Sequence, residues 1–234
     1  MSTTYFKWNG KSCSDYGIFV INEPTIIKPQ EKVTFIDVPK RNGALTISEN
    51  AYNDITLDVN CGIKDIDRIS EISQYLNGGG QLEFPTMWKN MHFTGRVINS
   101  INFDKVMRGR TNRTFTVTFR LTPFLFDNEK TSVRLVNPTT SLMNKGSIEA
   151  IPIIRVSGSG DINLMVNGEI INLIGISGVI VIDSVMSEAY DGNRMLINSK
   201  MSGEFPRLQT GMNGVSWTGN VSSVTIEFDT MHMV

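Results

Sequence analysis

The sequence is poor in the residues that most often carry chemistry. It has two cysteines, Cys13 and Cys61, and two histidines, His92 and His232, in 234 residues. Two thiols cannot build a disulfide framework, and these two lack the paired spacing of a zinc site. Two distant histidines leave little room for a triad or a histidine-based metal centre. No charge sign dominates: 22 basic side chains are set against 23 acidic ones, a formal net charge of −1. Bulk electrostatic attraction to nucleic acid or to a membrane surface is therefore excluded as a driving force. Long hydrophobic runs are also missing. The longest, Ile170 to Ile182, is interrupted by Asn172, Gly175, Ser177 and Gly178 and is too short to span a bilayer. The opening Met-Ser-Thr-Thr-Tyr-Phe-Lys-Trp-Asn-Gly has no basic segment followed by an apolar one, as a secretory leader would. These absences predict a chain that folds in a reducing cytoplasm, without a membrane segment or a cofactor.

What is present points to strands. Hydrophobic residues make up 40% and charged residues 19%, enough to bury a core. Asn-Gly occurs at 9–10, 42–43, 77–78, 167–168 and 213–214, with Asp191-Gly192 beside them. Asn-Gly favours two-residue hairpin turns because both residues tolerate positive φ. Ile162, Leu164 and Val166 before Asn167-Gly168, with Ile171 and Leu173 after it, predict a hairpin. Phe115, Val117, Phe119 and Leu121 alternate with Thr114, Thr116, Thr118 and Arg120, the pattern of a strand with one apolar face. Val179–Ile182 and Val224–Phe228 read the same way. One segment differs. Ile66, Ile69, Ile72 and Leu76 recur at spacings of three and four, which predicts a helix over 65–76. Asp65 is its expected N-cap, and Asn77-Gly78-Gly79-Gly80 its stop.

Composition shifts between residues 130 and 148, around the polar 127–130 stretch and the turn-like Asn137-Pro138-Thr139-Thr140-Ser141. Residues 1–130 carry 16 basic and 14 acidic side chains; residues 131–234 carry 6 and 9. The expected fold is mainly β in two domains: an α+β domain with one helix over 1–135 and an all-β sandwich over 136–234.

A search for chemistry finds no nucleophile elbow, no His-Glu-x-x-His and no phosphate loop, so no catalytic, cofactor-binding or metal site is predicted. Gly158-Ser159-Gly160 lacks the third glycine and helix of a phosphate cradle and reads as a tight turn. Asp161, Asp183, Glu188, Asp191 and Glu204 offer carboxylates, but spacing alone pairs none of them as a glycosidase requires. Asp191-Gly192-Asn193 lacks the repeated ligands of a calcium loop and reads as a turn. Lys105, Arg108, Arg110 and Arg113 form the one local basic cluster. They read as the solvated tip of a long hairpin or as a contact with an acidic partner; without interleaved aromatics they do not suit single-stranded nucleic acid. Trp217 alternates with Val215, so it is either a sandwich-core residue or a sugar-stacking platform.

Several of these segments together resemble the distal tail (Dit) proteins of long-tailed phages. Phe6-Lys7-Trp8-Asn9-Gly10-Lys11-Ser12 with Asp15-Tyr16-Gly17-Ile18 is similar to the family's opening. Val38-Pro39-Lys40-Arg41-Asn42-Gly43-Ala44-Leu45 resembles its Val-Pro-Gly-Arg-Asn-Gly turn, with Lys40 where the family has glycine. Phe115 to Phe124 looks like the strand closing the N-terminal domain. Ile151 to Asp161, Ile182-Asp183-Ser184, Glu188-Ala189-Tyr190, Lys200 to Leu208 and Gly211 to Gly219 follow in family order.

The resemblance implies a structural, non-enzymatic hub at the tail tip of a phage, prophage or phage-tail-like particle, assembled in the bacterial host cytoplasm. It implies a homo-hexameric ring through an N-terminal "belt" domain and a C-terminal galectin-like β-sandwich. Implied partners are the tail tube protein, a tail-associated fibre or lysin-type protein and a receptor-binding protein; neither a membrane nor sequence-specific nucleic acid is among them. Arg41, Asn42, Gly43, Arg108 and Arg110 are the expected interface residues. The alternative is a lectin-like module that binds cell-wall sugar through Tyr190, Asp191 and Trp217.

Overall fold

Strand pairing organises most of the chain in a computed structural model that describes residues 4–105 and 112–234. Two compact units result, Met1–Asn128 with Met233–Val234, and Glu129–His232. The division comes before the 135/136 boundary expected from composition, because Thr131–Leu135 is already a strand of the second sheet.

The first unit holds β1 (Lys7–Trp8), β2 (Lys11–Ser12), β3 (Ile18–Val20), β4 (Glu31–Ile36), β5 (Leu45–Tyr52) and β6 (Ile55–Ile63). Helix α1 (Ile69–Tyr75) follows, then β7 (Gly79–Glu83), β8 (Met91–Val97), β9 (Asp104–Lys105), β10 (Arg113–Leu121) and β11 (Leu125–Asp127). The main sheet runs β2-β1-β7-β8-β10-β6-β3, with β9 added to β10 and β11 to β8. Its centre is the antiparallel β10–β6 pair, in register from Arg113↔Ile63 to Leu121↔Ile55.

The predicted alternation decides which face of that pair is buried. Phe115, Val117, Phe119 and Leu121 enter the core with Ile55, Leu57, Val59, Cys61 and Ile63. The other face is polar: Thr116 Oγ1 donates to Asn60 Oδ1 at 2.8 Å, Thr118 Oγ1 to Asp58 Oδ1 at 2.6 Å, and Arg120 Nε to Asp54 Oδ2 at 2.8 Å. The expected helix is a 3-10 turn, Ile66–Arg68, running into α1. Asp65 caps it by accepting from the Asp67 N–H at 3.0 Å. Ile72 and Leu76 are buried as the spacing required, but Ile66 is exposed and Tyr75 takes a core place. Tyr75 Oη accepts from the Trp8 N–H at 3.2 Å and donates to the Lys11 carbonyl at 2.9 Å, tying α1 to the β1–β2 hairpin. Phe6, Trp8 and Phe119 complete this aromatic core, with ring centroids 6.0 Å apart for Phe6–Phe119 and 5.2 Å for Trp8–Phe119.

Strands β4 and β5 stand apart. Among the described residues they pair only with each other, as a separate two-stranded sheet. Their cross-strand pairs Phe35↔Thr46 and Ile36↔Leu45 leave apolar side chains exposed on both faces. Tyr52, at the end of β5, packs edge-on against Phe124 with ring centroids 5.4 Å apart.

The second unit holds β12 (Thr131–Leu135), β13 (Thr139–Asn144), β14 (Ile153–Val166), β15 (Glu169–Asp183), β16 (Glu188–Asp191), β17 (Met201–Ser202), β18 (Gly211–Phe228) and β19 (Met231–His232). The sheet order is β12-β18-β14-β15-β16, with β13 on β18 and β17 on β15. The expected β-sandwich is thus built from one hydrogen-bonded network that curls over one core. The predicted hairpin is β14–β15, turning at Asn167 (φ 53°) and Gly168 (φ 93°). The apolar Ile170–Ile182 run lies inside β15. Gly158-Ser159-Gly160 is not a tight turn: it lies within β14, where the register to both neighbours shifts.

Gly95 gives this fold a sensitive position. A Cβ there would sit 2.3 Å from the Arg120 carbonyl oxygen and 2.7 Å from Leu121 Cδ2, so β8 could not keep its distance from β10. Gly95→Ala should cost about 1–3 kcal/mol through this overpacking. Urea unfolding followed by tryptophan fluorescence checks it; an unchanged midpoint would contradict the close approach.

Candidate functional site

The residues expected to make contacts fall in three places. Arg41, Asn42 and Gly43 are exposed in the loop joining β4 to β5. There the Arg41 N–H donates to the Val38 carbonyl at 3.1 Å. Lys40 adopts φ 64° and Gly43 φ 77°. Lys40 therefore holds the left-handed conformation natural to glycine, at a backbone cost of about 1–2 kcal/mol. Arg108 and Arg110 lie outside the described residues. Their neighbours Lys105 and Arg113 stand opposite each other where β9 pairs with β10.

Tyr190, Asp191 and Trp217 do not converge. Trp217 is 7% exposed and belongs to the core of the second unit, opposite Leu164 in register. Tyr190 pairs with Val181, which in turn pairs with Arg155. Arg155 and Leu164 are nine positions apart on β14, a contour of about 30 Å at ~3.3 Å per residue. Asp191 is occupied locally: its Oδ1 accepts from the Asn193 N–H at 2.8 Å and the Met195 N–H at 2.9 Å, which builds the turn predicted there. Trp8 is buried, and Trp88 packs against Phe93 with centroids 5.5 Å apart, so neither is an open stacking platform.

The other acidic side chains also organise turns. Asp161 Oδ1 accepts from the Gly175 N–H at 2.8 Å. Asp183 Oδ1 accepts from the Val185 and Met186 N–H groups, each at 3.0 Å. One pair was not legible from spacing: Asp183 and Glu188 are direct cross-strand partners on β15 and β16. They line a cavity of about 470 Å³ with Ile153, Tyr190, Arg194 and Leu196. The signal in the sequence was an acid on either side of the turn Ser184–Ser187, which becomes informative only once the register is known. Among the described residues no group of three or more His, Cys, Asp or Glu is placed to hold a metal ion.

The two thiols are unreactive by placement. Cys13 and Cys61 are free and buried. Burial pushes both thiol pKa values up, and Cys13 adds a smaller upward push on Cys61. A raised pKa removes the thiolate that reacts. Native protein at mildly alkaline pH should therefore resist Ellman's reagent, with both thiols reacting once guanidinium unfolds the chain. A thiol that titrates in the native protein would contradict this. Trp217 is likewise assigned to stability: Trp217→Ala should cost about 3–5 kcal/mol. Thermal or urea unfolding measures it. A variant of unchanged stability that had lost binding to a cell-wall glycan would reverse the assignment.

The surface that sequence pattern did not anticipate is the β4–β5 arm. Phe35 is 67% exposed and Ile47 46% exposed. Ile36, Val38 and Leu45 share this exposure, as do Ile21, Ile26 and Ile27 in the lead-in segment. Exposed apolar side chains in this number make the arm a candidate contact surface.

No protein-family model matches the chain, and no curated protein matches it in sequence. Among solved structures it is similar to the crystal structure of the SPP1 Dit (gp 19.1) protein, described as a paradigm of the hub adsorption apparatus in phages that infect Gram-positive bacteria. The match covers 97% of this chain and 99% of that one, with a TM-score of 0.78 at 12% sequence identity. The chain, a mainly β protein with a single α-helix among the described residues, thus has the Dit fold along nearly its whole length.

Proposed function

We propose that this protein is a structural hub at the tail tip of a phage, a prophage or a phage-tail-like particle. In this reading the first unit forms a hexameric ring that continues the tail tube on one side and carries a tail-associated fibre or lysin-type protein on the other. The second unit offers further surface, including surface for a receptor-binding protein. The observation that carries the reading is the likeness of both units to SPP1 Dit, itself described as a hub of an adsorption apparatus.

The β4–β5 arm supports a ring. A closed ring uses head-to-tail contacts, in which one surface of each subunit fits a different surface of the next. A protruding hairpin with apolar side chains on both faces suits such a contact. Covering Phe35, Ile36, Leu45 and Ile47, which are now 39–67% exposed, would contribute roughly 3–6 kcal/mol per arm at about 1.5–3 kcal/mol for each fully buried side chain. Arg41, Asn42 and Gly43 at its tip would then reach the neighbouring subunit. A net charge of −1 opposes this association only weakly. The sugar-binding alternative loses its main platform, since Trp217 lies in the core.

Light scattering after size exclusion, with negative-stain microscopy, tests the reading. The wild-type protein should form hexamers or rings. The double substitution Phe35→Asp and Ile47→Asp should leave monomers with an unchanged thermal midpoint. A wild-type protein that stays monomeric alone and with its tail-tube and tail-associated partners would sink the proposal. Rings that persist in the double variant would show that the arm is not the ring contact.

A further inference from the structure

A second exposed apolar surface lies on the other unit, at the β15–β16 end. Val185 and Met186, in the turn between these strands, are 62% and 66% exposed. Met195 and Leu196, just beyond β16, are 66% and 61% exposed. Leu196 bridges back to Tyr190, and the Asp191 N–H donates to the Met195 carbonyl at 2.9 Å, so this loop is held against β16. Neither core needs these four side chains. Methionine-rich surfaces adapt to a partner because the unbranched thioether repacks easily.

Charge gives the surface a preference. The cavity of about 470 Å³ that Leu196 lines also holds Asp183 and Glu188. Cross-strand partners have Cβ atoms roughly 5 Å apart, and like charges there repel. Asp183 is partly compensated by the two backbone N–H groups of its turn. The Glu188 side chain makes no hydrogen bond or ion pair among the described residues, and neither does that of Arg194 in the same cavity. A cation lowered beside Glu188 would turn repulsion into attraction. The unpaired Arg194 guanidinium is then available to the backbone carbonyls that accompany a peptide-borne cation. Over residues 131–234, 9 acidic side chains outnumber 6 basic ones, which favours the same sign of partner.

We propose that this cavity and its apolar rim form a docking site for a segment of another protein, one that places a lysine or arginine between Asp183 and Glu188 and apolar neighbours against Val185, Met186, Met195 and Leu196. The inference rests on the reading of the protein as a hub that holds other proteins, but not on ring formation. The lock is two-part: the carboxylates select the charge, and the rim supplies the buried area. Tyr190, which also lines the cavity, provides a ring face for the cationic side chain.

The test uses the full chain and a displayed random-peptide library as probe. Selected peptides should carry lysine or arginine flanked by apolar residues. A synthetic copy should lose affinity roughly tenfold or more, by fluorescence anisotropy, in each of Glu188→Lys and Leu196→Asp. Glu169→Lys, at the Asn167-Gly168 turn, should leave it unchanged. Leu196 is exposed and Glu188 half-buried, and a thermal midpoint equal to wild type confirms that each variant folds. The proposal is overturned if no peptide is selected, if the peptides lack a basic residue, or if they bind all variants equally. It is also overturned if the site proves to serve self-association or a cell-wall glycan that competes with the peptide. Ring assembly of the same variants is measured separately, so a protein that binds the peptide but forms no rings counts against the hub reading alone.

Discussion

The second unit depends on three long strands keeping their apolar side chains on one core while the sheet they form curls. In β18 the apolar residues that join the core are Val215 and Trp217, then Val224, Ile226 and Phe228, a change from odd to even numbers. In β15 the residues that join the core are Ile171 and Leu173, then Ile176, Ile180 and Ile182, the same change, while Val181 is buried outside that core. A strand of period two that shifted phase without a structural device would turn half its apolar residues to water. The device is a set of bulges: β14 shifts register against β15 between Gly160 and Ile162, and against β18 between Ser157 and Gly158 and again between Ser159 and Asn163. Gly219 lies beside them at φ 99°, where a Cβ would sit 2.4 Å from the Asp161 carbonyl oxygen. Bulges increase local twist and bend the strand, so the phase change and the curl are one event. The β15–β16 end, with its cavity, takes its position from this bend.

The first unit solves a different problem. Its sheet buries one face under α1 and leaves the other covered in Thr, Asn, Asp and Arg. Side-chain bonds across β6 and β10 satisfy that polar face within the sheet, so it can remain in water without cover. The buried face is stiffened by aromatic packing and by Tyr75, whose hydroxyl serves two backbone groups at once. A phenol in that position must stay neutral, and burial raises its pKa accordingly. The result is a unit whose core is completed by its own strands and helix.

Much of this was legible in the sequence because it rests on local rules. The Asn167-Gly168 turn, the alternation of Thr114–Leu121 and the Asp65 cap each follow from a few residues. Tyr75 was not legible, since it stands outside the isoleucine stripe that marked the helix. The fate of Trp217 stayed open because alternation shows that it shares a face with Val215, not whether that face is covered. The arm stayed hidden for the same reason. Val33, Phe35, Leu45 and Ile47 read as ordinary strand residues, and period two is identical whether the covering surface belongs to the chain's own core or to another molecule. The pairing of Asp183 with Glu188 needed the strand register, a non-local quantity. Positions whose role depends on non-local geometry were thus the ones spacing could not settle, and the candidate contact surfaces consist largely of them.

The arm carries a further consequence. A two-stranded hairpin without a third strand or a packed face is marginal in water. Its base is anchored by Tyr52 on Phe124, by the Asn53 N–H donating to the Gln30 carbonyl at 2.9 Å, and by a hydrogen bond from Ser48 to Glu31. Beyond that base, little but the β4–β5 ladder orders it. Fixing each residue of such a segment costs about 1–2 kcal/mol of backbone entropy. In the proposed ring, a neighbouring subunit that covers Phe35, Ile36, Leu45 and Ile47 would offset part of that cost, so ordering the arm and closing the ring would become one coupled step. Coupled steps of this kind spend part of the contact energy on ordering and lower the affinity of any single contact. A closed ring recovers that loss, because every subunit has both of its contacts made and none is left at an end. Weak pairwise contacts and a stable ring are therefore compatible, and a hub built this way can stay dispersed at low concentration yet hold firmly once assembled.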